Sequence, residues 1–569
     1  GQDLYKGLMA NSKYEYVKSF EVDDKIAMPD IIIIVRIDAC NFRRFSEVHK
    51  FEKPNDEKAL NLMDSCAAAI LEKFPDIIFS YGFSDEYSFI FKKRTKFYKR
   101  RVSKILSLVV SLFTSMYVTK WKDFFPQKDL MYPPSFHAWV NFASMDGLQT
   151  YLAWRQNECH INNLHDTCLW MLIKGGKTEI EALDILKVGT QEQEKNEILF
   201  QQFGINYRNL PEIFRQGSCI LKAKVEDIVK YNGNGIPVKR LRRKVTVAHS
   251  VNIAGRKFWN DHSSLLKELG EFTNEISEIE PDYVDYFLIK DKLIPSTWIV
   301  VRIDGCHFHR FSEVHEFEKP NDERALNLMN ACAVSVLEEF QDIVFSYGVS
   351  DEYSFLLKKD SQFYQRCGRL AFSLSPSLQK HCIPNGLKAF LFISLELTPE
   401  NCTCSEIVSL IVSFFSSNYA MNWKKFFPQK ELKYPPSFDG RAVCYPSSEI
   451  VRDYLAWRQV DCHINNQYNT CFWMLVKSGK RKSEAQNILK GTQAKEKNDL
   501  LQQFGIAYDT LPLMFRRGSS MSKGEGAMHG YGIVTGSSQK YVVVKHCNII
   551  ERDFWEAHPE ILDENRKGL

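Results

Sequence analysis

Ile34-Val35-Arg36-Ile37-Asp38, followed 46 positions after its Asp by Ser84-Asp85-Glu86-Tyr87-Ser88-Phe89, decides the reading of this chain. The first stretch closes a β-branched run, Ile31 to Ile37, that reads as a buried strand delivering Asp38 at its C-terminal end. The second lies within Asp76 to Phe91, which alternates as strand, Gly-containing turn and strand, and so predicts a β-hairpin with Ser84-Asp85-Glu86 at or near its tip. Between them, Pro54-Asn55-Asp56-Glu57 opens a helix over Ala59 to Phe74, with Leu60, Met63, Ala67 and Ile70 at helical spacing. A basic helix is predicted from Phe97 through Arg100, Arg101 and Lys104. Strand, helix, hairpin, helix is an α+β order, an antiparallel sheet with helices on one face. If the strand lies beside the hairpin, Asp38 and Asp85 become neighbours. Carboxylates held together repel, and they persist most easily where hard cations sit between them. A two-metal site for phosphoryl chemistry follows, with the ions about 3.5–4 Å apart.

The whole pattern returns. Val300-Val301-Arg302-Ile303-Asp304 precedes Ser350-Asp351-Glu352-Tyr353-Ser354-Phe355 at the same interval, 266 positions on. Arg43 to Met63 and His309 to Met329 share 18 of 21 residues, too many for convergence. The 569-residue chain is therefore a tandem duplication. Its period is far longer than a solenoid repeat, so each copy should own a core. The expected domains are residues 1–265, a Glu-rich linker at 266–282, and residues 283–569. Copy two carries an insertion at about 367–404, where the register offset rises from 266 to 302. It contains Cys402-Thr403-Cys404, a poor zinc signature, and reads as translated non-coding sequence.

A formal charge of +4 and a pI near 8.2 permit nucleic acid without announcing it. Fifteen cysteines, several recurring at core-like positions (Cys66 with Cys332, Cys168 with Cys471), read as reduced thiols. No apolar run looks long enough to span a bilayer, so no membrane partner is expected, and a nuclear (nucleoplasmic) or cytoplasmic protein follows.

Each motif has a plainer alternative. A lone strand-end Asp caps a turn as readily as it binds metal, but joined to Ser-Asp-Glu and duplicated, Asp38 and Asp304 read as catalytic with Asp85 and Asp351. Glu86 and Glu352 are outer ligands or solvated side chains. Arg36, Arg302, Arg101 and Lys104 are placed to meet a triphosphate, or else line a solvated face. Lys53-Pro54-Asn55-Asp56 reads best as a helix start. Trp154-Arg155, with His160-Ile161-Asn162-Asn163, returns as Trp457-Arg458 and His463-Ile464-Asn465-Asn466; these residues either meet an RNA end or sit satisfied in the core. Lys239-Arg240-Leu241-Arg242-Arg243-Lys244 is a solvated hairpin face, a phosphate contact or a nuclear targeting signal.

Taken in order, these segments resemble the tRNA(His) guanylyltransferase family, and the tandem pair resembles its plant form. Tyr14-Glu15-Tyr16-Val17, Phe317-Glu318-Lys319-Pro320-Asn321-Asp322, Pro435-Pro436-Ser437-Phe438-Asp439-Gly440-Arg441 and Phe554-Trp555-Glu556-Ala557-His558-Pro559-Glu560 add to the match. The resemblance implies two tandem palm domains like those of polymerases and nucleotidyl cyclases. It implies two Mg²⁺ per active palm, ATP and GTP as substrates, and tRNA(His) as partner. ATP would activate the tRNA 5′ end and GTP would attack it, adding a G at position −1. Family tetramers imply a homo-oligomer, for a tandem chain possibly a dimer. By the family pattern, Asp304, Asp351 and the Gly305 carbonyl bind metal, and Asp304, Gly305, Cys306, His307, Phe308 and His309 with Ser350 and Asp351 line the nucleotide. Copy one carries these roles onto Asp38, Ala39, Cys40, Asn41, Phe42, Arg43, Ser84 and Asp85, with Arg36, Arg101 and Lys104 on the triphosphate.

Each copy departs from that pattern. Copy one has Ala39-Cys40 where the family has Gly followed usually by Arg, and Phe136-His137-Ala138-Trp139 where it has Phe-Asp-Gly-Arg. In copy two the insertion leaves Cys367 and Glu406 in the register of Arg101 and Lys104. Two rival readings follow: a catalytically weakened tRNA-binding homologue, and a template-dependent 3′–5′ tRNA repair polymerase.

Overall fold

The structure, a computed structural model, describes residues 12–21, 27–187, 190–231, 233, 237–253, 255–270, 297–359, 361, 404–525 and 540–562. Most of the insertion, and everything from 271 to 296, lies outside them.

In the first repeat the order is β1 (Ile32–Ala39), α1 (Phe42–Val48), α2 (Glu57–Lys73), β2 (Ile77–Phe83), β3 (Glu86–Phe91), α3 (Val102–Phe124), β4 (Phe136–Ala143) and α4 (Met145–Lys174). Then come α5 (Glu179–Ile185), α6 (Glu192–Phe203), α7 (Glu212–Gln216), β5 (Ser218–Tyr231), β6 (Pro237–Ala248), α8 (Arg256–Asp261) and α9 (Ser263–Leu269). The second repeat runs β7 (Trp298–Gly305), α10 (Phe308–Val314), α11 (Glu323–Glu339), β8 (Ile343–Val349), β9 (Glu352–Leu357), α12 (Cys404–Phe426), β10 (Phe438–Tyr445) and α13 (Ser448–Lys477). It closes with α14 (Lys482–Leu489), α15 (Ala494–Gln503), α16 (Leu513–Arg517), β11 (Ser519–Glu525), β12 (Lys540–Lys545) and α17 (Arg552–Ala557). The two six-stranded antiparallel sheets share one topology, β4-β1-β3-β2-β5-β6 and β10-β7-β9-β8-β11-β12.

Local chemistry explains the elements. In β1 every residue from Ile32 to Val35 is buried, as a β-branched run between two helix layers must be. Asp56 caps α2 by accepting from the Ala59 N–H at 3.1 Å, and α2 then buries Leu62, Met63, Cys66, Ala67, Ile70 and Leu71. The expected helix layer is α2 with α3, whose Phe113 meets Tyr87 and Phe89 of β3. Against the opposite face, Met145, Leu148 and Leu152 of α4, with Phe258, Trp259, Leu265 and Leu269, pack on Ile32, Ile34 and Ile90. The basic helix starts later than expected. Tyr98, Lys99 and Arg100 have positive φ, and the buried Arg100 guanidinium donates to the carbonyls of Ala27, Met28, Ile31 and Lys93. Among the described residues α3 is long and apolar enough to cross a membrane, but 72% of its most apolar window is buried inside the fold. The cores hold Cys66, Cys168, Cys332 and Cys471 as unpaired thiols.

The chain forms two compact units. One joins Asp24–Lys292 with Tyr364–Ser417, and the other joins Gly1–Asp23 with Leu293–Phe363 and Asn418–Leu569. In the first unit, β4 is an edge strand whose outward N–H groups are covered by the first turns of α12. Phe136 N donates to Ser413 Oγ at 3.0 Å and Ala138 N to Ser409 Oγ at 2.9 Å.

Candidate active site

Antiparallel pairing aligns side chains in rows across one sheet face. In the first unit the rows read Ile90–Ile34–Asn141, then Ser88–Arg36–Trp139, then Glu86–Asp38–His137. In the second they read Leu356–Val300–Val443, then Ser354–Arg302–Arg441, then Glu352–Asp304–Asp439. Along both central strands the facing side chains pass from apolar (Ile34, Val300) to basic (Arg36, Arg302) to acidic (Asp38, Asp304) toward the C-terminal end of β1 or β7.

At that end the hairpin turn delivers the second carboxylate. Ala39 N donates to the Asp85 carbonyl at 3.1 Å and Gly305 N to the Asp351 carbonyl at 3.0 Å, so each strand end is pinned to its turn. Cys40 N and Cys306 N fasten the next residue, each at 2.8 Å, to the carbonyls of Ser135 and Ser437. Ser84 (φ 53°) and Ser350 (φ 55°) take the left-handed conformation that a two-residue turn needs. Burial, and next the Asp85 charge, push the Asp38 carboxyl up to about 8, and burial pushes Asp85 and Asp351 up to about 6. Burial followed by the Asp351 charge also raises Asp304 well above the usual carboxylate range. Burial outweighs the nearby arginines at Asp38 and Asp304, Arg36 Nη2 at 3.6 Å from Asp38 included, so a cation held between the carboxylates would favour their charged forms.

Among the described residues no three His, Cys, Asp or Glu side chains form a metal cage. Two carboxylates and a strand-end carbonyl do fit Mg²⁺, which keeps several waters and takes its remaining ligands from substrate phosphates.

Glu86 is no solvated side chain. It is 6% exposed and clamped by Arg36 Nη2 at 2.6 Å and by Arg155, which sits on α4. Burial opposes its charge, yet Arg155 and Arg36 outweigh burial and hold it below its usual range. Arg36 therefore meets Glu86 first and Asp38 second, at 3.6 Å. Arg155, 5% exposed, is not placed to stack on an RNA end. In the second unit Arg458 Nε meets Glu352 at 2.6 Å and its Nη1 donates to Asp461 at 2.8 Å, while Arg302 turns to Glu21 at 2.8 Å.

The two repeats differ at the strand end for a steric reason. Gly305 does not have a positive φ, so its backbone does not require glycine. A Cβ there would lie 2.4 Å from Phe308 Cδ2 and 2.9 Å from Asp351 Cβ. Without it, Phe308 buries itself 4.8 Å from Phe311 and 5.0 Å from Phe438, ring to ring. In the first unit Ala39 takes that space, and Phe42 is half-buried, 6.4 Å from Phe45 and 6.1 Å from Phe51.

Asn41 and His307 precede α1 and α10 in the left-handed conformation. Arg43 is exposed and bonded to Glu47 and Glu179, and His309 is exposed near Glu313. Arg101 opens α3, and Lys104 Nζ lies 5.2 Å from the Tyr98 ring centre. Cys367 lies outside the described residues. Glu406 accepts from Trp139 Nε1 at 2.8 Å, on the first unit's β4. Burial lowers the neighbouring His137 imidazole, so the position matching Asp439 favours a neutral ring.

The His-Ile-Asn-Asn segments lie inside α4 and α13. Their last Asn serves the fold: Asn163 Nδ2 donates to Asn55 Oδ1 at 2.7 Å, and Asn466 to Asn321 at 2.9 Å. The basic run from Lys239 lies along β6. Sequence reasoning missed the Arg155–Glu86 clamp, the position of Glu21 and the row of Asp439. The recurrence of Trp-Arg in both repeats, Tyr14-Glu15-Tyr16-Val17 and Phe438-Asp439-Gly440-Arg441 were the available signals, and none specified a partner.

The family model described as tRNAHis guanylyltransferase matches residues 14–143 and again 281–446, and the Thg1 C terminal domain model matches 146–258 and 449–551. The chain is 61% identical to tRNA(His) guanylyltransferase 1 of Arabidopsis thaliana, over 97% of this chain and 91% of that protein. It is 59% identical to tRNA(His) guanylyltransferase 2 of the same plant, over 97% and 99%. The crystal structure of tRNA(His) guanylyltransferase from Saccharomyces cerevisiae, 41% identical, aligns with a TM-score of 0.34 over 42% of this chain and 91% of that one.

Proposed function

The chain belongs to the tRNAHis guanylyltransferase family and is a nucleotidyltransferase, and we propose that it adds a G to the 5′ end of tRNA(His) with ATP and GTP as co-substrates. The observation that carries the reading is the pair of carboxylates that strand end and hairpin turn bring together in each repeat, Asp304 with Asp351 and Asp38 with Asp85, one row from Arg302 and Arg441 or from Arg36. Those carboxylates and the carbonyl of residue 39 or 305 would hold Mg²⁺. When bound, Mg²⁺ neutralises triphosphate charge and favours the attacking oxygen.

The chain's own residues do the rest. The Ala39–Asp85 and Gly305–Asp351 hydrogen bonds preorganise the carboxylates, so little reorganisation accompanies reaction. Arg441, 43% exposed and bonded to Glu21 through Nη1 at 2.9 Å, would offer the rest of its guanidinium to phosphate oxygens. The tRNA 5′-phosphate is adenylylated with release of pyrophosphate, and the GTP 3′-hydroxyl then displaces AMP. Pyrophosphate removal leaves the added G. Each repeat is one palm, two chains supply the family's four, and the compartment is the nucleus or the cytoplasm.

His137 and Trp139, where the second repeat has Asp439 and Arg441, favour a weakened first site. Incorporation of labelled GTP into 5′-monophosphorylated tRNA(His), with and without ATP, tests the reading. Label that depends on ATP supports it, and no label in either case overturns it.

A further inference from the structure

Residues Tyr14–Phe20, which precede the first repeat's β1, form a helical turn that packs into the second unit's core. Val17 is fully buried there with Trp298, Val300 and Tyr445, the Phe20 ring lies 5.9 Å from that of Tyr445, and Lys18 sits 5.2 Å from the Trp457 ring centre. The Tyr16 hydroxyl donates to Asp453 of α13. The turn places Glu21 over the basic row. Its Oε1 accepts from Arg302 Nη1 at 2.8 Å and its Oε2 from Arg441 Nη1 at 2.9 Å. The Glu21 side chain is 14% exposed and that of Arg302 is 11% exposed.

Arg302 and Arg441 face each other across β7 and β10, one row behind Asp304 and Asp439. Two facing guanidiniums repel, and each needs an anion. The first unit shows where such an arginine goes when its cross-strand neighbour is Trp139: Arg36 Nη2 reaches Glu86 and comes within 3.6 Å of Asp38. An Arg302 released from Glu21 has the same reach along its own strand toward Asp304. There it would neutralise the carboxylate that a cation needs.

We propose that Glu21 is a positioning residue of the second site, bonded to both arginines and holding Arg302 off Asp304 so that Asp304 stays available to a divalent cation. The inference rests on the metal-dependent reading above. It also makes the segment before the first repeat an integral part of the second repeat's site.

The test uses the full chain carrying Asp38→Asn, which silences the first site, and Mn²⁺ as the probe, titrated calorimetrically with no nucleotide present. Glu21→Gln should weaken Mn²⁺ binding about tenfold or more, the usual effect of losing a group that orients a metal ligand. Glu21→Asp should fall between. The Glu21→Gln/Arg302→Gln pair should recover most of the lost affinity, because the competing cation is gone. Half-saturating Mg²⁺ for G addition should rise in step with the Mn²⁺ constant. A lowered Tm with unchanged Mn²⁺ affinity would overturn the proposal, as would a double variant no better than Glu21→Gln. Mn²⁺ binding that follows the prediction in a protein that never adds G would retain Glu21's role and reject the proposed reaction instead.

Discussion

Replacing Gly305 by Ala imposes on the second repeat what the first already carries. The new Cβ would stand 2.4 and 2.5 Å from two carbons of the Phe308 ring, about 1 Å inside ordinary contact. The ring must leave, giving up its pairs with Phe311 (4.8 Å), Phe438 (5.0 Å) and Tyr419 (5.9 Å). Aromatic pairs are worth about 0.5–1.5 kcal/mol each and overpacking typically costs about 1–3 kcal/mol, so about 2 kcal/mol is expected. For a unit of this size that is roughly 4–8 °C in Tm. The Cβ also lies 2.9 Å from Asp351 Cβ, so the carboxylate proposed to bind metal must shift as well, and Mg²⁺ affinity should fall. Differential scanning calorimetry and calorimetric Mg²⁺ titration of wild type and Gly305→Ala check both. An unchanged Tm together with unchanged Mg²⁺ affinity would refute the steric account of why Gly305 and Ala39 differ.

Two further outcomes follow from charge. Asp38 ionises at about 8 in the folded protein against about 3.9 unfolded, so its contribution favours folding at low pH and is lost as pH rises from about 4 through about 8. Mg²⁺ should therefore release protons on binding near pH 7, read from calorimetry in buffers of different ionisation enthalpy, and should raise Tm more at pH 8 than at pH 6. Arg155→Met leaves buried Glu86 with Arg36 as its remaining clamp, at a cost of about 3–5 kcal/mol. A thermal melt within about 2 °C of wild type would contradict that clamp.

What the sequence disclosed depended on the range of the interaction. The β-branched run into Asp38, the Asp56 cap and the alternation around Ser84-Asp85 are local, and their periods of 2 and 3.6 residues placed β1, α2 and the hairpin within a residue or two. The adjacency of Asp38 and Asp85 needed one inference, that strand and hairpin pair. Arg155 with Glu86 is 69 residues apart and Glu21 with Arg441 is 420 apart; no periodicity encodes such partners, so the sequence left Glu86 as an outer ligand or a solvated side chain and Arg36 as a phosphate contact or part of a solvated face, and pointed to neither clamp. Arg100 misled for a related reason. Its charge suggested a helix face, while its donors go to backbone carbonyls of residues 27, 28 and 31.

Metal-dependent incorporation of labelled GTP into tRNA(His) by Asp38→Asn, Asp304→Asn and the double variant tests the central claim most directly. Removing one preorganised charge should slow the affected site on the order of 10²-fold. Asp304→Asn should remove the larger share of activity, because the second repeat keeps Gly305, Asp439 and Arg441. The double variant should add no G while still binding tRNA; a double variant that still extends tRNA(His) would contradict the assignment of these carboxylates.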